Sequence, residues 1–179
     1  MFVSRSRVIR VVTLLCCCSI WAAASIASDK DDATTKPKKP RFEQTGQLIK
    51  DNRTGLLWPA NGNLSAESYS WNGAFEYISV LNKERFAGSG EWRLPTKEEF
   101  QGLIEYAKSM GYDGSGPDKS IAAGLRTSGF SNIRDAEYWS STTNMYNAAE
   151  AWFISLVNGA AGTGSKDLYL PVWPVRSGH

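Results

Sequence analysis

Residues able to carry acid–base or nucleophilic chemistry are scarce in this 179-residue sequence. Its one histidine is His179, the last residue, and its three cysteines, Cys16, Cys17 and Cys18, sit together in an apolar amino-terminal run. A terminal imidazole frays and makes a poor general base, which argues against Ser-His-Asp catalysis and histidine-ligated zinc. A glycoside hydrolase would need only two carboxylates at a fixed separation. Glu91, Glu98, Glu99, Asp135 and Glu137 are available, but no spacing pairs any two of them. A carboxylate hydrolase therefore stands as the competing reading, with no catalytic residue assigned. Arg93, just before a helix start, has the planar fork that suits a bidentate carboxylate partner within the domain. The stretch Asp113-Gly114-Ser115-Gly116-Pro117-Asp118 gathers oxygens and flexible backbone as a calcium loop does, yet lacks the acidic alternation of an EF-hand. It is read as a solvated turn, and neither a metal nor a cofactor is expected.

What remains is surface recognition. Thr143-Asn144-Met145-Tyr146-Asn147 reads as a strand-to-strand loop, and Lys166-Asp167-Leu168-Tyr169 follows a glycine-rich turn. Tyrosine offers contact area at low entropic cost, and asparagine offers adaptable hydrogen bonds. Asn144, Tyr146, Asn147, Lys166 and Tyr169 are accordingly the candidate ligand-binding residues. Six tryptophans follow the amino-terminal segment. Trp58, Trp71 and Trp152 occupy apolar-periodic positions and read as core, whereas Trp92 and Trp139 have polar neighbours and read less clearly so.

The elements that must position these residues follow from periodicity. Leu48-Ile49 and Leu56-Leu57-Trp58 flank the turn-rich Asp51–Gly55 and predict a hairpin. Trp71, Ala74, Phe75, Ile78 and Leu81 recur at helical spacing behind the cap Ser70. Thr96-Lys97-Glu98-Glu99 fits a capping box, Phe100, Leu103, Ile104 and Ala107 form a buried helical face, and Gly111 is placed to stop that helix. Tyr112 to Arg134 reads as a long loop holding a short helix near Ile121–Leu125. Tyr138–Thr142 and Ala151–Val157 are strand candidates. Asn158-Gly159 predicts a hairpin turn that Gly159–Ser165 lengthens. Pro171 and Pro174 put the closing segment, with Leu168–Leu170 and Val172–Val175, at a sheet edge or break it with bulges. Strands, helices, then strands make an α+β domain.

The amino terminus predicts export. Arg5, Arg7 and Arg10 precede the apolar Val11–Ala24, and Ser25-Ile26-Ala27 offers small residues before a cut at Ser28. Residues 1–27 are thus read as a signal peptide, with a lipid-modified variant disfavoured because Cys17 stands where a lipobox before Cys18 wants a small residue. The apolar run is shorter than the roughly 20 residues of a spanning helix, so no membrane insertion is expected after cleavage. Residues 28–41, rich in Asp, Lys and Thr, read as a disordered tether, and 42–179 as the folded domain. Cleavage removes every cysteine, leaving a domain without thiols or disulfides. From Arg41 onward there are thirteen basic against fifteen acidic residues, a balance that gives no reason to expect nucleic acid as a partner.

Several of these pieces recur together. Thr54-Gly55-Leu56-Leu57-Trp58, Trp71-Asn72-Gly73-Ala74, Glu91-Trp92-Arg93-Leu94-Pro95-Thr96, Tyr138-Trp139-Ser140-Ser141-Thr142, Ala151-Trp152 and Val172-Trp173-Pro174-Val175-Arg176 resemble, in this order, the DUF1566 family, named also for the C-terminal domain of a Legionella collagen-like adhesin. The resemblance spans about Phe42 to Gly178. It implies a C-type-lectin-like fold with a small twisted antiparallel sheet, two helices and long loops. It also implies a periplasmic, cell-surface or secreted location. The named adhesin domain binds sulfated glycosaminoglycans and trimerises. This chain departs from it in having no collagen-like repeat and no basic run after Lys39. The expectation is an exported, non-enzymatic binding module for a glycan or an envelope protein, with oligomerisation open. An assembly subunit of an envelope structure is the alternative.

Overall fold

A computed structural model describes residues 39–178. The segment 1–27 expected to be a signal peptide, most of the expected tether and His179 lie outside the described residues. Arg41 does not belong to a tether. Its Nε and Nη2 bond the two carboxylate oxygens of buried Asp51 at 3.2 and 2.9 Å, so the folded part starts before Phe42.

Among the described residues the fold is mixed α/β, with two antiparallel sheets and three α-helices. Strands β1 (Phe42–Thr45), β2 (Leu48–Asp51), β3 (Leu56–Pro59) and β7 (Arg176–Ser177) form one sheet in that order. Strands β4 (Glu137–Thr143), β5 (Glu150–Ser155) and β6 (Ala161–Ser165) form the other. The helices are α1 (Trp71–Lys83), α2 (Lys97–Ser109) and α3 (Ile121–Arg126). The family resemblance implied one sheet and two helices. The third helix is the short one expected near Ile121, capped by Ser120.

Both long helices start where the sequence places them. Ser70 Oγ accepts from the Gly73 amide, and Thr96 and Glu99 bond each other's backbone amides reciprocally. Phe100, Leu103, Ile104 and Ala107 are buried, and the chain turns at Gly111 with φ +90°, a left-handed conformation that suits glycine.

The core is two buried clusters, and the strands supply both by alternation. Ile49, Tyr138, Ile154 and Trp173 pack with α2 and α3. Leu48, Trp139, Ala151 and Val172 pack with α1. Neighbouring residues therefore point into different clusters, as a pleated strand buried on both faces requires. The closing segment runs through the middle of this arrangement. It bridges Tyr69 at Leu170 and Arg93 at Val175, then pairs with β3 as a two-residue edge strand. Pro171 and Pro174 interrupt it as expected.

One expectation fails. Gly159–Ser165 is not all turn, because Ala161–Ser165 is a strand paired with β5 in continuous register. Its glycines accommodate an aromatic ring: a Cβ on Gly162 would lie 2.7 Å from Phe153 Cζ. The turn itself needs only one left-handed residue, Gly159 at φ +74°.

A candidate contact surface

Two loops abut at one end of the three-stranded sheet, because Glu150 pairs with Ser165 and leaves the flanking residues side by side. The β4–β5 loop is shaped from inside. Asn144 and Asn147 each donate through Nδ2 to one oxygen of the Glu150 carboxylate, at 2.9 and 3.0 Å. Their Oδ1 atoms accept from the Tyr146 and Ala149 amides, at 3.0 and 3.1 Å. The Asn144 bond above all, then bonds from Thr163 and Asn147, holds the Glu150 carboxyl below the usual carboxylate range.

Lys166 joins this loop to the rest of the domain. Its amide and ammonium donate to the Ala149 and Ala148 carbonyls, at 2.9 and 2.7 Å. Its carbonyl accepts from the Trp71 amide at 2.9 Å, and its Nζ lies 4.3 Å from the centre of the Trp71 ring. The Trp71 indole nitrogen in turn donates to Ser140 in β4. One lysine thus pins two loops to the start of α1.

The five candidate binding residues therefore lie on two adjoining loops but divide by role. Asn144, Asn147 and Lys166 spend their polar atoms on internal bonds. Tyr146 and Tyr169 stand outward, 91% and 72% exposed, with Met145 and Leu168 beside them in sequence and also exposed. The periodicity reading missed part of this surface. Trp71 and Trp152, read as core, are half-buried under Lys166 and Lys97 respectively. Trp92 and Trp139, with their polar neighbours, are almost fully buried, their indole nitrogens donating to the Phe86 and Tyr69 carbonyls. Trp92 and Trp139 are core despite those neighbours, because each tryptophan brings one apolar body and one polar tip, and the tip can be satisfied in the core.

The remaining candidates hold structure together. Arg93 forms the expected bidentate pair, with Glu99. Asp135 accepts from Ser120 Oγ and from Arg126. Asp113 caps its own turn by accepting from the Ser115 amide, and no three His, Cys, Asp or Glu side chains converge on a metal-sized site among the described residues. A cleft of about 910 Å³ beside α2 collects Lys39, Arg41, Lys50 and Arg53. Its charge is largely offset, since Lys39 pairs with Glu43, Arg41 with Asp51, and Arg53 lies 4.0 Å from Glu105.

Small α/β domains of this kind, with short strands, capped helices and aromatic loops, carry function on their surface loops. The sequence profile of the Lcl C-terminal domain family matches residues 47–176, and the chain belongs to that family. No curated protein matches the chain.

Proposed function

We propose that this chain is an exported, non-enzymatic binding module of C-type-lectin-like fold that docks a protein partner at the cell envelope. The observation that carries the reading is the exposure of four large side chains, Met145, Tyr146, Leu168 and Tyr169, on two loops joined through Lys166. Tyrosine and methionine are enriched where proteins bind proteins, and loops already ordered lose less entropy on docking. The internal use of Glu99 and Asp135, and a lone histidine at position 179, support a role without catalysis. The amino-terminal pattern of residues 1–27 supports export.

A photoreactive phenylalanine analogue placed at position 146 or 169 in cells should form an adduct with one and the same envelope protein, while the analogue at Asp118 should not. Tyr146→Ala and Tyr169→Ala should each weaken binding of that purified protein at least tenfold without moving the melting temperature. Adducts at all three positions alike, or none, would overturn the reading. Glycan-array binding lost in the same variants would redirect it to sugar.

A further inference from the structure

The residues between α1 and Trp92 build a second feature that the contact surface does not use. Asn82 clamps the base of this loop: its Nδ2 donates to the Trp92 carbonyl at 2.9 Å, and its Oδ1 accepts from the Trp92 amide at 2.7 Å. The Trp92 indole donates to the Phe86 carbonyl at 2.9 Å and closes the loop from within. Inside this closed frame Arg85 and Ala87 both adopt left-handed backbone, at φ 50° and 49°. Side-chain-bearing residues pay for that conformation, and such strain collects where a protein shapes a ligand site.

The strained loop forms one wall of a cleft of about 530 Å³, lined by Arg85, Gly88, Ser89, Gly90, Glu91 and Arg176. Arg176 enters from β7, its guanidinium 5.5 Å from the centre of the Trp92 ring. Its Nη1 donates to the Ser177 carbonyl, while its Nε is buried without a hydrogen-bond partner. Among the described residues no carboxylate lies within ion-pairing distance of either guanidinium, although other arginines of the domain, Arg41, Arg93 and Arg126, each hold one. Arg85 Nη2 makes only a long bond, 3.5 Å, to the Gly88 carbonyl. Two planar guanidinium groups thus line one cleft without a carboxylate partner, beside a preformed frame, and these are the elements of an oxyanion site. Glu91 on the rim cuts the net charge of the lining to one positive, which matches a monoanion better than a dianion.

We propose that this cleft binds a carboxylate-bearing ligand between Arg85 and Arg176. The site is independent of the loop surface at Tyr146 and Tyr169.

The test is an NMR titration of the 15N-labelled folded chain with sodium acetate, at ionic strength held constant with sodium chloride. The expected result is saturable shifts of the Arg85 and Arg176 Nε–H signals and of the Gly88 to Gly90 amides. Arg85→Asn keeps a residue tolerant of left-handed backbone and removes the guanidinium, so it should weaken acetate at least tenfold with the fold intact. Arg85→Lys keeps the charge and loses the fork, and should weaken it several-fold. Shifts no larger than those in chloride alone, or unchanged in Arg85→Asn, would overturn the proposal, as would inorganic phosphate binding more tightly than acetate. Galacturonate and triglycine then separate a sugar acid from a peptide carboxyl terminus as the source.

Discussion

Arg93 and Glu99 form a two-pronged ion pair, at 2.6 and 2.8 Å, in which the same carboxylate also accepts the Thr96 amide at 2.8 Å. Glu99 thus caps α2 and ties that cap to the strand-like stretch that bridges Val175. Burial alone would raise its pKa, but the Arg93 bonds and the Thr96 amide outweigh it and hold the carboxyl below its ordinary 4.5. A group with a depressed folded pKa stabilises above the unfolded pKa, and that stability is lost as pH falls through the folded value. Glu99→Gln should therefore lower stability at pH 7 by about 1–2 kcal/mol, a figure kept small because Arg93 is partly exposed. Melting curves should show the gap between the variant and the parent closing below about pH 4.5.

Shortening the chain tests where the domain starts. A chain beginning at Phe42 lacks Arg41 and leaves the Asp51 carboxylate, 2% exposed, without its cation. Breaking a buried pair from one side costs about 3–5 kcal/mol. Urea denaturation should place this chain well below one beginning at Lys39, with Asp51→Ala recovering part of the loss in the shortened chain.

Trp58 and Trp173 lie with ring centres 5.1 Å apart and are both almost fully buried, yet they differ at one atom. The Trp173 indole donates to the Pro59 carbonyl at 3.0 Å, whereas the Trp58 Nε1 has no partner. Loss of a satisfied buried bond costs about 1–3 kcal/mol, and loss of an unsatisfied donor offsets part of the cavity penalty. Trp173→Phe should accordingly cost more than Trp58→Phe, by about 1–2 kcal/mol in equilibrium unfolding.

Gly162 faces the Phe153 ring too closely for a methyl group. Gly162→Ala should destabilise by about 1–3 kcal/mol through overpacking. Phe153→Leu in the same chain should recover part of it, because the obstructing ring is then gone. Non-additive melting temperatures in the double variant would show the coupling.

Lys166→Met removes the ammonium from the Ala148 carbonyl and from the Trp71 ring. The cation–π contact is worth about 0.5–1 kcal/mol, so the global effect should be small. The local effect should be larger, with faster amide hydrogen exchange at Tyr146 and Ala149, whose amides rest on the loop asparagines.

What could be seen beforehand followed from local rules. Ser70, Thr96 and Glu99 announce their caps by type and spacing, and the α2 face reads directly as buried. The β6 strand was hidden because glycines carry no β-propensity, and the room they leave is filled by Phe153 from the neighbouring strand. Trp71 and Trp152 looked like core because periodicity cannot show which face a lysine from another element will cover. Of the candidate site, the two loops were legible from their turn residues and tyrosines. The internal roles of Asn144, Asn147 and Lys166 were not, since each depends on a cross-strand register. The Arg85–Arg176 cleft joins residues 91 positions apart and has no local signature.

The bond from Trp173 to Pro59 spans 114 residues, and Trp173 and Val172 supply one side chain to each half of the interior. Neither half is complete until Val172 and Trp173 have arrived. Contacts so distant along the chain form late and slow the search for the native state. A ribosome-bound intermediate ending before Val172 would expose two unfilled interiors, making it a substrate for chaperones and proteases rather than a stable partial fold. Folding of this domain therefore waits for Val172 and Trp173, and until they emerge the polypeptide before them remains threadable.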